Sequence, residues 1–194
     1  GGYGTRLGKE TELKPKPMVE IGGKPIVWHI MKVFEKHGIR DFHLALGYKA
    51  NIIKDYFLKY NSLNEENWII NLQDTGLNTM TGGRLLRLKE SLKNEETFML
   101  TYGDGVSNVD LTKLLQFHKS HGKIATVTAV RPPVRFGELI INDNKVEEFA
   151  EKPKAGTGWI NGGFFVFNKE IFNYIKDDSI ILEREPLEKL SKTG

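Results

Sequence analysis

The chain contains no cysteine. That removes disulfides, thiolate metal sites and cysteine nucleophiles at once, and it fits a cytoplasmic protein. No run approaches the roughly 20 apolar residues that a membrane-spanning helix needs. A dominant charge is also missing: 28 basic residues stand against 25 acidic, a formal +3. This is too mild and too evenly spread to argue for a nucleic-acid partner, although some excess of Lys and Arg suits an enzyme of anionic phosphates. No internal repeat, low-complexity tract or linker interrupts the 194 residues, so one domain with a substantial core is expected over 1–194. Neither nucleotide fingerprint is met: G-x-x-x-x-G-K-[ST] is absent, and G-x-G-x-x-G lacks a correctly placed third glycine.

What is present is an alternation of helical and extended patterns. "PIVWHIMKVFEKHG" places Ile26, Ile30 and Phe34 on one helical face and stops at Gly38. "DFHLALG" reads as a strand, "NIIKDYFLKY" as a helix, "WIINLQ" as a strand, and "GGRLLRLKESLK" as a helix carrying Leu85, Leu88 and Leu92 on one face. "TFMLTYGDG" is a strand ending in a turn. "DLTKLLQFHKSHG" is a helix with Asp110 as N-cap, and "IATVTAV" is a strand. A hairpin is expected around Asp143–Asn144, then a strand in "INGGFFVFN" and helices in "KEIFNYIKDD" and "EREPLEKLSKTG". Short apolar strands separated by helices predict an α/β fold with a largely parallel sheet, whose ligands sit beyond the carboxyl ends of the strands. His118 and His121 have a metal-like spacing but no third ligand, so an exposed helix end is expected there.

The opening "GGYGTRL" combines Gly1, Gly2 and Gly4, which let backbone N–H groups approach a ligand, with the Thr5 hydroxyl and the Arg6 donor fork. Lys16 follows between Pro15 and Pro17, which stiffen the backbone around its ammonium. Together these suit a polyphosphate. In "TYGDGV", Asp104 stands between glycines at the end of an apolar strand and can expose a carboxylate to a hard cation such as Mg2+. Asp-Gly is also a favoured hairpin pair, but a helix and not a return strand follows. In "NTMTGGRLLRL", Thr79, Thr81 and the glycines precede a helix whose free N–H groups can receive an acceptor; the alternative is Thr81 as a cap with Arg84 and Arg87 solvated. Arg131 precedes "PPVRFG" and Arg135 lies within it, either near a ligand or as loop charge.

In this order the motifs resemble the sugar nucleotidyltransferases, whose signature is a G-G-x-G-T-R-L loop followed by K-P-K-P or P-K-P. Here those are Gly1 to Leu7 and Lys14 to Pro17. The resemblance implies a Rossmann-like, glycosyltransferase-A-like three-layer sandwich with a mostly parallel mixed sheet. "KPKPMVEIGGKPIVWHIM", "MTGGR", "TYGDGV", "EKPK" and "INGGFFV" are most similar to the branch of glucose-1-phosphate cytidylyltransferases. That branch implies transfer of a cytidylyl group from CTP to α-D-glucose 1-phosphate, giving CDP-glucose and pyrophosphate. Thymidylyl- and uridylyltransferases differ only in base choice. A regulatory module that had lost catalysis would show a broken Arg6, Lys16 or Asp104, and all three are intact.

The resemblance further assigns Gly1, Gly2, Gly4, Thr5, Arg6, Leu7, Lys16, Thr79, Arg84 and Gly103 to the nucleotide, and Glu151, Lys152, Asn161 and Gly162 to the sugar phosphate. Glu151 would accept from vicinal hydroxyls and Lys152 would meet the phosphate. Arg6, Lys16 and Asp104 are the expected catalytic set, with Asp104 on Mg2+. A homo-oligomer acting in nucleotide-sugar synthesis for lipopolysaccharide O-antigen is implied as well. The family also carries an apolar strand ahead of the glycine loop, a second magnesium carboxylate in a later segment, and a longer excursion between Tyr60 and Trp68. By that comparison residues 1–194 alone are expected to fold poorly and to be inactive.

Overall fold

A computed structural model describes residues 14–61, 66–132, 138–142, 145–150 and 158–193. Gly1, Gly2, Gly4, Thr5, Arg6 and Leu7 lie outside the described residues, as do Arg135, Glu151 and Lys152. Pro15 caps a single 3-10 turn, Lys16–Met18, which contains Pro17 and is anchored by the buried Met18. A short antiparallel pair, β1 (Glu20–Ile21) and β2 (Lys24–Pro25), leads into α1 (Ile26–Lys36). Helix α1 buries Val27, Ile30, Met31 and Phe34, the spacing of one apolar face. It ends at Gly38, whose φ of 81° is the left-handed conformation that closes helices.

Strand β3 (Asp41–Leu46), helix α2 (Ala50–Asn61) and strand β4 (Ile69–Asp74) form a unit in which the two strands pair in parallel, from Asp41↔Ile69 to Leu46↔Asp74. Next come α3 (Thr81–Arg87), β5 (Thr97–Thr101), α4 (Leu111–His121) and β6 (Ala125–Val130). The expected cap of α4 is present, with Asp110 Oδ1 accepting from the Lys113 N–H at 3.0 Å. Strands β7 (Glu138–Asn142) and β8 (Lys145–Ala150) form the expected hairpin. They are followed by β9 (Ile160–Asn168), a 3-10 helix at Lys169–Tyr174, and α5 (Glu185–Thr193).

Strand β9 lies between β5 and β6 and is antiparallel to both, so β5 and β6 run in one direction with β9 reversed between them. With the parallel β3–β4 pair this is a mixed α/β fold. The run Phe164–Phe167 is buried at every position, as in a strand covered on both faces. Phe165 and Phe167 pack with Leu85, Leu88, Leu92 and Ile171, whereas Phe164 packs with Ile30, Phe34 and Leu111. Alternate side chains of one strand thus reach helices on opposite sides, which gives three layers. A cavity of about 570 Å³ separates β3 from β5. Successive residues of both strands line it, Phe42 to Leu46 and Thr97 to Thr101. Strand side chains alternate between faces, so unbroken runs mark two backbone edges facing one another.

Three elements differ from expectation. Helix α3 stops at Arg87, because the Arg87 carbonyl accepts from Gln73 Nε2 and the chain loosens into i→i−3 turns, although Leu88 and Leu92 still reach the core. "KEIFNY" is 3-10 and not α. His118 is no exposed helix end: it is 1% exposed, with Nδ1 bonded to Thr126 Oγ1 and Nε2 to Asn168 Oδ1, pinning α4 to β6 and β9. Among the described residues no helix is long and apolar enough to cross a membrane.

Candidate active site

Lys16 and Asp104 are 88 residues apart in sequence, yet Lys16 Nζ stands 3.1 Å from Asp104 Oδ2. The 3-10 turn presents the ammonium, and the turn after β5 presents the carboxylate. Gly103 permits the approach, since a Cβ there would lie 2.9 Å from Pro17 Cγ. Their side chains are 20% and 39% exposed, so both charges remain within reach of a ligand. Asp104 offers a hard oxygen ligand in an open position. Among the described residues no group of three or more His, Asp or Glu could hold a metal by itself. A divalent cation at Asp104 fits the mode in which one carboxylate is completed by phosphate oxygens and water.

The "TMTGGR" segment is built differently from expectation. The N–H groups that were expected to be free are spent within the protein: Met80 donates to the Asp178 carbonyl, and Gly82 and Gly83 donate to the Ile180 carbonyl. The two glycines are needed because Cβ atoms there would stand 2.8 Å from Ile180 O and 2.5 Å from Asp178 O. Nor is Arg84 solvated. It is 7% exposed; Nη1 donates to Leu46 O, Thr75 Oγ1 and Gly76 O, and Nη2 to Leu77 O. Burial, and then the charge of Arg87, lower its pKa. Thr79 is likewise buried. Arg84 therefore organises the 75–77 turn beyond β4, and Arg87 pairs with Asp178.

Asn161 is exposed at the start of β9. Its Nδ2 donates to the Tyr102 hydroxyl at 3.1 Å, and its Oδ1 accepts from the Gly163 N–H at 2.8 Å. Gly162 packs against β6, where a Cβ would meet Thr128 O at 2.9 Å. Arg131 lies over the ring of Trp159, the residue before β9, its guanidinium carbon 4.6 Å from the centroid. Tyr102 and Glu183 were not anticipated. Tyr102 lies inside the quoted "TYGDGV", but its side-chain partners are distant in sequence. Glu183 carries no local signal beyond a carboxylate beside a buried leucine. Pro17, Arg84, Tyr102, Gly103 and Glu183 line the cavity between β3 and β5, whereas Lys16, Asp104 and Asn161 are not among its lining residues.

Comparison with known proteins identifies the family. The family model for nucleotidyl transferases matches residues 1–190. A glucose-1-phosphate cytidylyltransferase of Salmonella typhimurium is 48% identical over an alignment of 212 positions, covering all of this chain and 82% of the relative. A probable glucose-1-phosphate cytidylyltransferase of Bacillus subtilis is 43% identical, covering all of this chain and 83% of the relative. The crystal structure of HddC from Yersinia pseudotuberculosis complexed with GMP-PN superposes with a TM-score of 0.70 at 30% identity, over 97% of this chain and 83% of the other. Matched over nearly its whole length, the chain belongs to the nucleotidyl transferase family.

Proposed function

We propose that this protein transfers the cytidylyl group of CTP to α-D-glucose 1-phosphate, releasing pyrophosphate and forming CDP-glucose. The observation that carries the reading is the pairing of Lys16 with Asp104, which puts a cation and a hard-metal carboxylate side by side after β5. The 48% identity to a glucose-1-phosphate cytidylyltransferase supports the base and sugar assignment.

A sugar phosphate is largely dianionic at neutral pH, its second pKa being about 6. Its oxygen attacks the α-phosphorus of CTP, forming the new P–O bond as the bond to the β-phosphate oxygen breaks. No general base is needed, so the residues align reactants and neutralise charge. Asp104 would hold Mg2+, which supplies charge neutralisation for the phosphates when bound. Lys16, with Arg6 from the glycine loop, would face the triphosphate and stabilise the departing pyrophosphate. Lys152 and Glu151 would hold the phosphate and hydroxyls of the sugar, with Asn161 beside them. Arg84 acts on the nucleotide end by fixing the 75–77 turn.

Pyrophosphate release, measured with glucose 1-phosphate, Mg2+ and each of CTP, UTP, dTTP and GTP in turn, tests the assignment. Turnover with CTP well above the others is expected. A clear preference for dTTP or UTP overturns the base assignment, and inactivity with every triphosphate favours a regulatory module.

A further inference from the structure

Four side chains from separate segments form one connected network. Glu183 Oε1 accepts from the Tyr102 hydroxyl at 2.6 Å, and Glu183 Oε2 accepts from Thr81 Oγ1 at 2.6 Å. Thr81 Oγ1 in turn accepts from the Leu182 N–H at 2.9 Å. The Tyr102 oxygen accepts from Asn161 Nδ2, and Asn161 Oδ1 accepts from the Gly163 N–H. The residues come from the start of α3, the end of β5, the start of β9 and the segment before α5.

Donor and acceptor rules fix the direction of every bond. The Tyr102 and Thr81 hydroxyls each donate to a separate carboxylate oxygen of Glu183. The Tyr102 oxygen then has only lone pairs to offer, and the Asn161 amide must turn its NH2 toward it and its carbonyl toward Gly163. Burial, then the bond to Glu183, raise the Tyr102 pKa, which keeps the phenol protonated. The ring can lie against β9 because residue 163 is glycine: φ is 80°, and a Cβ would stand 3.0 Å from Tyr102 Cδ2. Among the described residues each side-chain polar atom of Asn161 makes one bond, which leaves one N–H and one lone pair on an exposed residue. A donor and an acceptor side by side match a pair of neighbouring sugar hydroxyls.

We infer that Glu183 and Tyr102 are positioning residues, which orient the Asn161 amide toward the sugar and, through Thr81, tie that subsite to the start of α3. This rests on the placement of Asn161 at the sugar end in the proposed function. Losing an anchoring hydrogen bond of about 1–1.5 kcal/mol corresponds to roughly tenfold in affinity.

The test is steady-state kinetics on the full-length enzyme carrying Tyr102→Phe, Glu183→Ala or Glu183→Gln, with each substrate titrated separately. Tyr102→Phe and Glu183→Ala are expected to raise the KM for glucose 1-phosphate about tenfold. The KM for CTP and kcat should stay within about twofold. Glu183→Gln keeps an acceptor for Tyr102 and can donate to Thr81 Oγ1, so it should remain near wild type. Equal rises in both KM values, an unchanged sugar-phosphate KM, or a Gln variant as impaired as Ala would each overturn the inference. If Glu183→Ala does not fold, Tyr102→Phe, which removes one oxygen, decides alone. The wild-type substrate panel is run first. Should another triphosphate or sugar phosphate be preferred, the proposed function fails, while the KM split on the preferred pair still tests the positioning role.

Discussion

Replacing Arg84 by methionine separates two roles that a buried arginine beside a binding turn could have. Met keeps an apolar stem and removes the guanidinium. The structure gives that group four acceptors: Leu46 O, Thr75 Oγ1, Gly76 O and Leu77 O. Leu46 O would remain satisfied, because the Thr75 N–H and Oγ1 both donate to it. The Gly76 and Leu77 carbonyls would lose a donor, but both residues are partly open to water. Hydrogen bonds to a charged group are worth about 1.5–3 kcal/mol each. Relief from holding a desolvated charge offsets much of that sum, so a net loss of about 2–4 kcal/mol is expected. With a urea dependence of about 1–3 kcal/mol per molar, the unfolding midpoint of the full-length protein should drop by about 1–2 M. The CTP KM should rise only as the 75–77 turn loosens. An unchanged midpoint with a CTP KM raised tenfold or more would refute this account and make Arg84 a direct nucleotide contact.

Further outcomes follow from the same geometry. Lys16→Ala should lower kcat by about 10²–10³-fold, the scale of losing a preorganised charge at the reacting phosphates; near-normal turnover at saturating CTP would reduce Lys16 to a loop residue. Lys152→Ala should instead raise the KM for the sugar phosphate, which separate titration of each substrate reads out. Gly83→Ala places a Cβ 2.5 Å from the Asp178 backbone and should cost about 1–3 kcal/mol as overpacking, visible as a lower melting temperature. The Asp178 pKa is lowered, first by its hydrogen bond from Arg87. The stability this contributes is therefore present above the ordinary Asp pKa and lost as pH falls through the depressed value. The midpoint difference between wild type and Asp178→Asn should exist at neutral pH and vanish on acidification; a difference that persists in strong acid would contradict it.

Most of the element order could be read from periodicity, because long amphipathic segments such as Ile26–Lys36 announce both their face and their end. What could not be read was set by tertiary partners. Gln73 takes the Arg87 carbonyl and shortens α3, and Thr126 and Asn168 draw His118 inward. The site divides the same way. Lys16, Gly103 and Asp104 were legible because prolines and glycines fix backbone around a charge, and the fold brings them together. The "TMTGGR" glycines read as a ligand cradle, but the 178–180 backbone occupies that place. Glu183 was invisible because its importance lies wholly in partners 81 and 102 residues earlier in the chain.

The most direct test of the central claim is a one-pot competition. Equimolar CTP, UTP, dTTP and GTP are supplied to the full-length enzyme with glucose 1-phosphate and Mg2+, and the nucleotide sugars are resolved by mass spectrometry at early time. The account predicts CDP-glucose as the dominant product, abolished by Asp104→Ala. Dominance of UDP-, dTDP- or GDP-glucose, or undiminished synthesis by the Asp104 variant, would contradict it.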